Sequence, residues 1–193
     1  ITKKWIEEQH FHEVQHVFPA ELEKNLEKDI FNLAEKALTS VGFENSAFHL
    51  EVMVTEGGPK VVEINGRLGG DFITTHLVPL GRGVDIIEET LKVALGEIVN
   101  LTPKWEKTAA VRFMISDIEG KVESWDGEKE AKDSDGIRSL YIERKVGELV
   151  RLPPEKYGEV RLAALIGQSN SQDDVIKKVT KGIGLLKPRL QNI

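Results

Sequence analysis

Glu51, and twelve positions further on Glu63 with Asn65 and Arg67, are the residues whose types and spacing suggest chemistry. In an extended chain residues two apart share a face, so Glu63, Asn65 and Arg67 point one way while Val62 and Ile64 point the other. The preceding run alternates in the same manner, with His49, Glu51 and Met53 opposed by Phe48, Leu50, Val52 and Val54. Between them lies the turn-rich tetrapeptide Glu56-Gly57-Gly58-Pro59. A turn symmetric about Gly57 sets Glu51 directly across from Glu63, with Cβ atoms roughly 5 Å apart. Two carboxylates so placed repel each other. A divalent cation between them reverses the sign, and Glu51, Glu63 and the Asn65 carbonyl make an all-oxygen set that suits Mg²⁺, or Mn²⁺ in its place. At nucleotide sites Mg²⁺ is held by a few side chains, with the rest of its octahedron left to phosphates and water. Arg67, one step further along that face, can make a two-pronged contact to a phosphate or carboxylate. A solvated hairpin face carries the same residue types, and alternation alone does not separate the two readings.

Residues 12–16 spell HEVQH, in which His12 and His16 would bind Zn²⁺ from one helical turn apart with Glu13 as general base. Glu35 follows His16 by nineteen residues, a spacing suited to a third ligand. That metallopeptidase reading needs a helix, which Pro19 would cut directly after the second His. A non-catalytic binding module is the third class. In it Trp5, Trp105 and Trp125 read as core or surface residues, and Arg112 and Arg144 stay open as substrate contacts.

Several elements must position these residues. Leu22, Leu26, Leu33, Ala34, Ala37, Leu38 and Val41 form one helical stripe over residues 20–41, with Pro19 at the entrance and Gly42 past the end. The runs 47–54 and 60–67 read as a hairpin, and 68–83 as a glycine-containing loop. Asp85 should cap a helix over 86–95, with Glu88 as its capping-box partner and Gly96 as the stop. Polar residues with Pro103 over 100–107 mark a boundary. Beyond it the runs 109–116, 120–125, 137–144, 148–152 and 159–165 read as short strands of a mostly antiparallel sheet. Val175, Ile176, Val179 and Ile183 then predict a helix over 173–186, weakened near Gly182 and Gly184. Helices among antiparallel strands make the class α+β.

Composition narrows the function classes. The 193 residues are 40% hydrophobic and 30% charged, as in an ordinary globular protein. A formal net charge of -6 without a long run of Lys or Arg argues against nucleic acid and acidic lipid as partners. The absence of cysteine excludes disulfides, thiolate metal sites and thiol nucleophiles. No apolar run approaches the roughly 18 residues of a membrane span, and a cytoplasmic protein is expected. The sequon Asn100-Leu101-Thr102 reads as accidental. The chain opens at Ile1 within sequence that already reads as structured, so a fragment of a longer protein is expected.

Glu51, VEINGR at 62–67 and LGGD at 68–71 together resemble the C-terminal signature of the ATP-grasp superfamily. The likeness is strongest to the amino-acid ligases that make dipeptides, and more distant to biotin carboxylase and carbamoyl-phosphate synthetase. ITKKW at 1–5 and HVFPAEL at 16–22 resemble the same dipeptide-ligase branch. The resemblance implies the C-terminal part of an ATP-grasp domain, an antiparallel sheet with helices, over 1–104, and a smaller β-rich C-terminal subdomain over 105–193. It implies ATP and Mg²⁺ as cofactors, with Glu51, Glu63 and Asn65 holding one or two Mg²⁺ under the ATP phosphates. Arg67 would contact the reacting phosphate and His16 would position substrate or phosphate. The reaction implied passes a γ-phosphoryl group to a carboxylate, and an amine then attacks the acyl phosphate. Amino acids are the expected substrates, and a homodimer is compatible with the likeness. Such chemistry asks for positioning and charge neutralisation rather than a nucleophilic side chain. In the LGGD loop, Gly69 and Gly70 would let backbone amides approach a bound oxyanion, and Asp71 would pair with a substrate ammonium. The family's glycine-rich lid and ATP-binding lysines have no counterpart in these residues. No ligase turnover and at best weak nucleotide binding are therefore expected of them alone.

Overall fold

The computed structural model describes residues 1–8, 11–154 and 156–192. In chain order the elements are β1 (Lys3–Ile6), β2 (Glu13–Phe18), α1 (Lys24–Ser40), β3 (His49–Thr55), β4 (Gly58–Asn65), a π-helical turn (Ile73–Leu77), α2 (Val78–Arg82) and α3 (Ile86–Leu95). There follow β5 (Thr108–Ile115), β6 (Gly120–Asp126), α4 (Glu128–Lys132), β7 (Ile137–Ile142), β8 (Leu149–Val150), β9 (Arg161–Ser169), α5 (Gln172–Ile183) and β10 (Lys187–Gln191). The strand pairs are antiparallel, and the class is α+β. Two compact units interleave along the chain: Ile1–Ala20, Leu80–Arg82 and Trp105–Ile193 form one, Glu21–Pro79 and Gly83–Lys104 the other.

The first unit is built on a five-stranded sheet in the order β1-β2-β5-β9-β7 and a three-stranded sheet in the order β10-β6-β8. β9 is buried continuously from Leu162 to Gln168, which is why its sequence reads as an apolar run rather than an alternation. The expected stripe of α5 is its core face. Val175 and Val179 pack with Val17 and Ala110, and Ile183 packs with Ala131, Ala163, Leu165 and Leu186. Ser171 caps α5 by accepting from the Asp174 N–H. Sequence patterning missed β10 and α4. The Lys-Pro-Arg-Leu-Gln run of β10 carries little apolar character and lies at a sheet edge against β6, where Pro188 is tolerated. α4 has five residues, too few to show a helical period.

One reading is overturned outright. HEVQH does not lie on a helix: Glu13–Phe18 is β2, paired with β1 and β5. Four residues of extended chain separate His12 from His16 by about 13 Å, too far for one Zn²⁺.

In the second unit α1 begins at Lys24, four residues later than expected, with Glu23 extended at the cap and making no side-chain cap bond. Leu26, Leu33, Ala34, Ala37 and Leu38 are half-buried, as their spacing predicts. Ile30, not counted in that stripe, is the most deeply buried residue of the helix. This face lies against β4. Asp85 caps α3 as expected, accepting from the Ile87 and Glu88 N–H groups at 3.1 Å. Glu88 does not reciprocate: its carboxylate is 2.8 Å from Lys92 Nζ, one turn on. The expected loop over 68–83 is helical from Ile73, where a π-helical turn runs into α2. Pro79 sits in the first turn of α2, where its missing N–H is not needed, so it marks a helix start there rather than a loop.

Candidate metal and phosphate site

The hairpin owes its polarity to a β-bulge. From the tip outward, Thr55↔Gly58, Val54↔Pro59, Met53↔Lys60 and Val52↔Val61 face each other around Glu56 and Gly57, with Gly58 at φ +90. Such a left-handed angle favours glycine. Continued unbroken, that register would set Glu51 against Val62 and Leu50 against Glu63, placing a carboxylate among the apolar residues. The register instead shifts between Glu51 and Val52, and the next pairs are Glu51↔Glu63, Leu50↔Ile64 and His49↔Asn65. Val62 is the extra residue. Residues directly opposite share a face, so Leu50, Val52 and Val54 lie with Val61 and Ile64, while His49 and Glu51 lie with Glu63 and Asn65. The two carboxylates thus meet as expected, but through a bulge and not through a turn symmetric about Gly57.

His49, Glu51 and Glu63 each offer a ligand atom, and these atoms all lie within 4.8 Å of one another. His49 Nε2 is 3.2 Å from Glu51 Oε1, and Asn65 Nδ2 donates to Glu63 Oε1 at 2.7 Å. Glu51 is partly covered and Glu63 is exposed, so a bound ion would meet protein on one side and solvent or phosphate on the other. Two carboxylates and an amide oxygen at this spacing fit a divalent cation, and the imidazole stands against one of the carboxylates. His49 is the member sequence reasoning left out, although it stands two residues before Glu51 on the same face.

Arg67 needs a correction. β4 ends at Asn65, so Arg67 lies in the bend beyond the strand and does not continue its face. The ladder stops with the His49↔Asn65 pair, and the Arg67 guanidinium donates to Leu68 O at 2.9 Å. In the following loop the left-handed angles fall on Asp71 (φ 47) and Phe72 (φ 63), not on the glycines. Non-glycine residues pay for such angles, and two in succession mark a held conformation. A Cβ on Gly69 would stand 3.0 Å from His49 Nδ1, whereas one on Gly70 would meet nothing within 4 Å. Thr74 Oγ1 donates to Gly69 O at 2.6 Å and ties the loop to the π-helical turn. Burial lowers the pKa of His76, in that turn, below the ordinary histidine value.

His16 belongs to the other unit. It is fully buried on β2, edge-on to Phe113 at 5.5 Å between ring centroids and with Nε2 3.3 Å from Glu13 Oε2. Arg112 reaches Gln15 Oε1 at 3.4 Å, and burial holds its pKa below the usual arginine value. Arg144 donates to the backbone carbonyls of Glu159 and Gly158, a structural task.

Beside the fold and the carboxylate hairpin stands a match in sequence: residues 1–76 match the model of the ATP-grasp domain family. Along 94% of its length the chain shares its fold with the L-amino acid ligase of Bacillus licheniformis, at a TM-score of 0.82 and 20% identity, covering 45% of that chain. It shares it also with the biotin carboxylase domain of the Hydrogenobacter thermophilus 2-oxoglutarate carboxylase, at a TM-score of 0.66 and 17% identity over 94% of this chain and 40% of that one. Among curated sequences, uncharacterized protein y4rH of Sinorhizobium fredii is 29% identical over 167 residues, 86% of this chain and 35% of the relative. The chain therefore spans between a third and a half of these relatives. Among its described residues, no helix is long and apolar enough to cross a membrane.

Proposed function

We propose that this chain supplies the metal-binding and phosphate-binding side of an ATP-dependent carboxylate–amine ligase that joins amino acids through an acyl phosphate. The observation that carries the proposal is the meeting of Glu51 and Glu63 across β3 and β4, with ligand atoms of the His49-Glu51-Glu63 group within 4.8 Å. Support comes from the ATP-grasp match and from the shared fold with an L-amino acid ligase. The carboxylase domain that shares the fold was solved with MgADP, which supports ATP and Mg²⁺ as the cofactors.

In this reading Glu51, Glu63 and the Asn65 carbonyl hold Mg²⁺ beneath the nucleotide phosphates. The bound ion would neutralise phosphate charge as the γ-phosphoryl group moves. Arg67 turns from Leu68 O toward the transferred group and stabilises its negative charge. The Gly69 and Gly70 backbone lies close to a bound oxyanion, and Asp71 pairs with a substrate ammonium. No side chain forms a covalent intermediate, so positioning and charge carry the rate. The 193 residues alone are expected to bind a divalent cation and to release no ADP, because they carry no counterpart of the family's glycine-rich lid and ATP-binding lysines. Joined to a preceding ATP-binding half, they should release ADP in the presence of ATP, Mg²⁺ and amino-acid pairs, and Glu63→Ala should stop it. Full-rate, amino-acid-dependent ADP release by the 193 residues by themselves would overturn the division of labour.

A further inference from the structure

The rung of the hairpin ladder formed by His49 and Asn65 is a pair of hydrogen-bonding side chains, two residues along from the carboxylate rung of Glu51 and Glu63. Each member reaches the carboxylate on its own strand: Asn65 Nδ2 to Glu63 Oε1 at 2.7 Å, and His49 Nε2 to Glu51 Oε1 at 3.2 Å. An ionised carboxylate only accepts, so the ring must present Nε2–H to Glu51. The adjoining Nδ1–Cε1 edge of the same ring lies close to the loop: a Cβ on Gly69 would stand 3.0 Å from Nδ1 and 3.4 Å from Cε1. A residue other than glycine at 69 would crowd the imidazole, which would have to give by a few tenths of an ångström. The Gly69 carbonyl is in turn held by Thr74 Oγ1 at 2.6 Å.

From this geometry we infer that His49 is a positioning residue of the metal site, one imidazole that fixes the Glu51 carboxylate and registers the 68–71 loop against it. The inference rests on the metal reading of the hairpin and extends it to a residue outside the ligand set. The Glu51 side chain is 29% exposed, and a hydrogen bond from the ring restricts its rotamers. Held by Nε2–H, its oxygen stays aimed at Glu63, and outer partners of this kind typically contribute about 10–100-fold in metal affinity. The coupling also runs outward, since a change in the backbone at Gly69 reaches the ion through the ring.

The test is Mn²⁺ affinity of the 193-residue chain by electron paramagnetic resonance, with far-ultraviolet circular dichroism as a check on folding. His49→Ala should weaken Mn²⁺ binding about tenfold. His49→Gln, whose Nε2 amide donor has the reach of the imidazole Nε2, should restore it to within about threefold, while the shorter His49→Asn should not. Gly69→Ala should weaken binding in the unchanged chain and have no effect in the His49→Ala background, a non-additivity that a merely structural glycine would not give. Equal affinity in His49→Ala, equal loss in His49→Gln, or additive effects of the pair overturn the inference. A ¹⁴N modulation of the Mn²⁺ spin echo that His49→Ala removes overturns it too, in favour of direct ligation. Binding that needs Glu63 but ignores His49 sinks this inference alone. Binding that is absent, or indifferent to Glu63→Gln, sinks the metal site and the inference together.

Discussion

Glu63→Gln removes one charge from the carboxylate pair while keeping an acceptor for Asn65, so it separates repulsion from packing. The facing ligand atoms lie within 4.8 Å of one another, and at that distance two unit charges repel by about 0.9 kcal/mol at the dielectric of water. Salt lowers this, so metal-free protein should gain about 0.5–1 kcal/mol from the substitution, against the usual destabilising trend. A dication bound only by the folded state adds about 2.7 kcal/mol at a hundred times its Kd, and the variant forgoes that gain. The sign therefore inverts with metal. The variant is the more stable protein in chelator, and the unchanged chain leads by roughly 2 kcal/mol in saturating Mn²⁺. The probe matters, because Trp5, Trp105, Trp125, Tyr141 and Tyr157 all fall in the unit that lacks the hairpin. Intrinsic fluorescence would report the wrong unit. Amide hydrogen exchange along the β3–β4 ladder reads the right one. A variant less stable in chelator, or an unchanged chain whose exchange ignores Mn²⁺, would refute the reasoning.

Under the proposed ligase function, Arg67→Ala should slow ADP formation by about 10²–10³ while leaving Mn²⁺ affinity almost unchanged, since its guanidinium bonds Leu68 O rather than the donor set. Parallel turnover and titration measurements check both halves. Gly127→Ala places a Cβ 2.0 Å from Leu185 O at a φ of +83, backbone against backbone, and should cost more than about 3 kcal/mol in urea unfolding followed by tryptophan fluorescence. For Glu89, the Lys92 ammonium and then the Asn100 N–H hold the carboxyl below the usual carboxylate range. Its folded pKa is depressed, so its contribution is present above the unfolded value of about 4.3 and is lost as pH falls below it. Glu89→Gln should flatten the acid limb of the stability profile measured by circular dichroism, and an unaltered limb would count against the contact.

Much of this was legible in the residues, because the signals were local. The stripe of α5, the Asp85 cap and the alternation of His49, Glu51 and Met53 each rest on period and neighbour. The facing of Glu51 and Glu63 was legible for a partly wrong reason, since residue types cannot show where a bulge absorbs a register shift. HEVQH shows the limit of a pattern without its context: the same five residues have zinc-binding geometry only on a helix, and the ladder bonds of β2 to β1 and β5 decide otherwise. Arg67 was set on the strand because alternation continues past the point where pairing stops. The glycines of 68–83 suggested a loop where a π-helical turn and α2 form, with Pro79 in the first turn of α2 and Gly83 its left-handed cap at φ 70. His49 was visible on the right face but passed over, since its importance lies in what its ring touches rather than in its type.

The extra residue at Val62 has an evolutionary corollary. Facing in a ladder has a parity, and here the short tip and the bulge are two odd contributions that cancel. One residue added at the tip would make the bulge redundant. One added elsewhere in β4 would turn Glu63 outward unless a second bulge answered it. Length variation between the two acids is thus quantised: related chains should differ there in steps of two, or trade a tip residue for the kink.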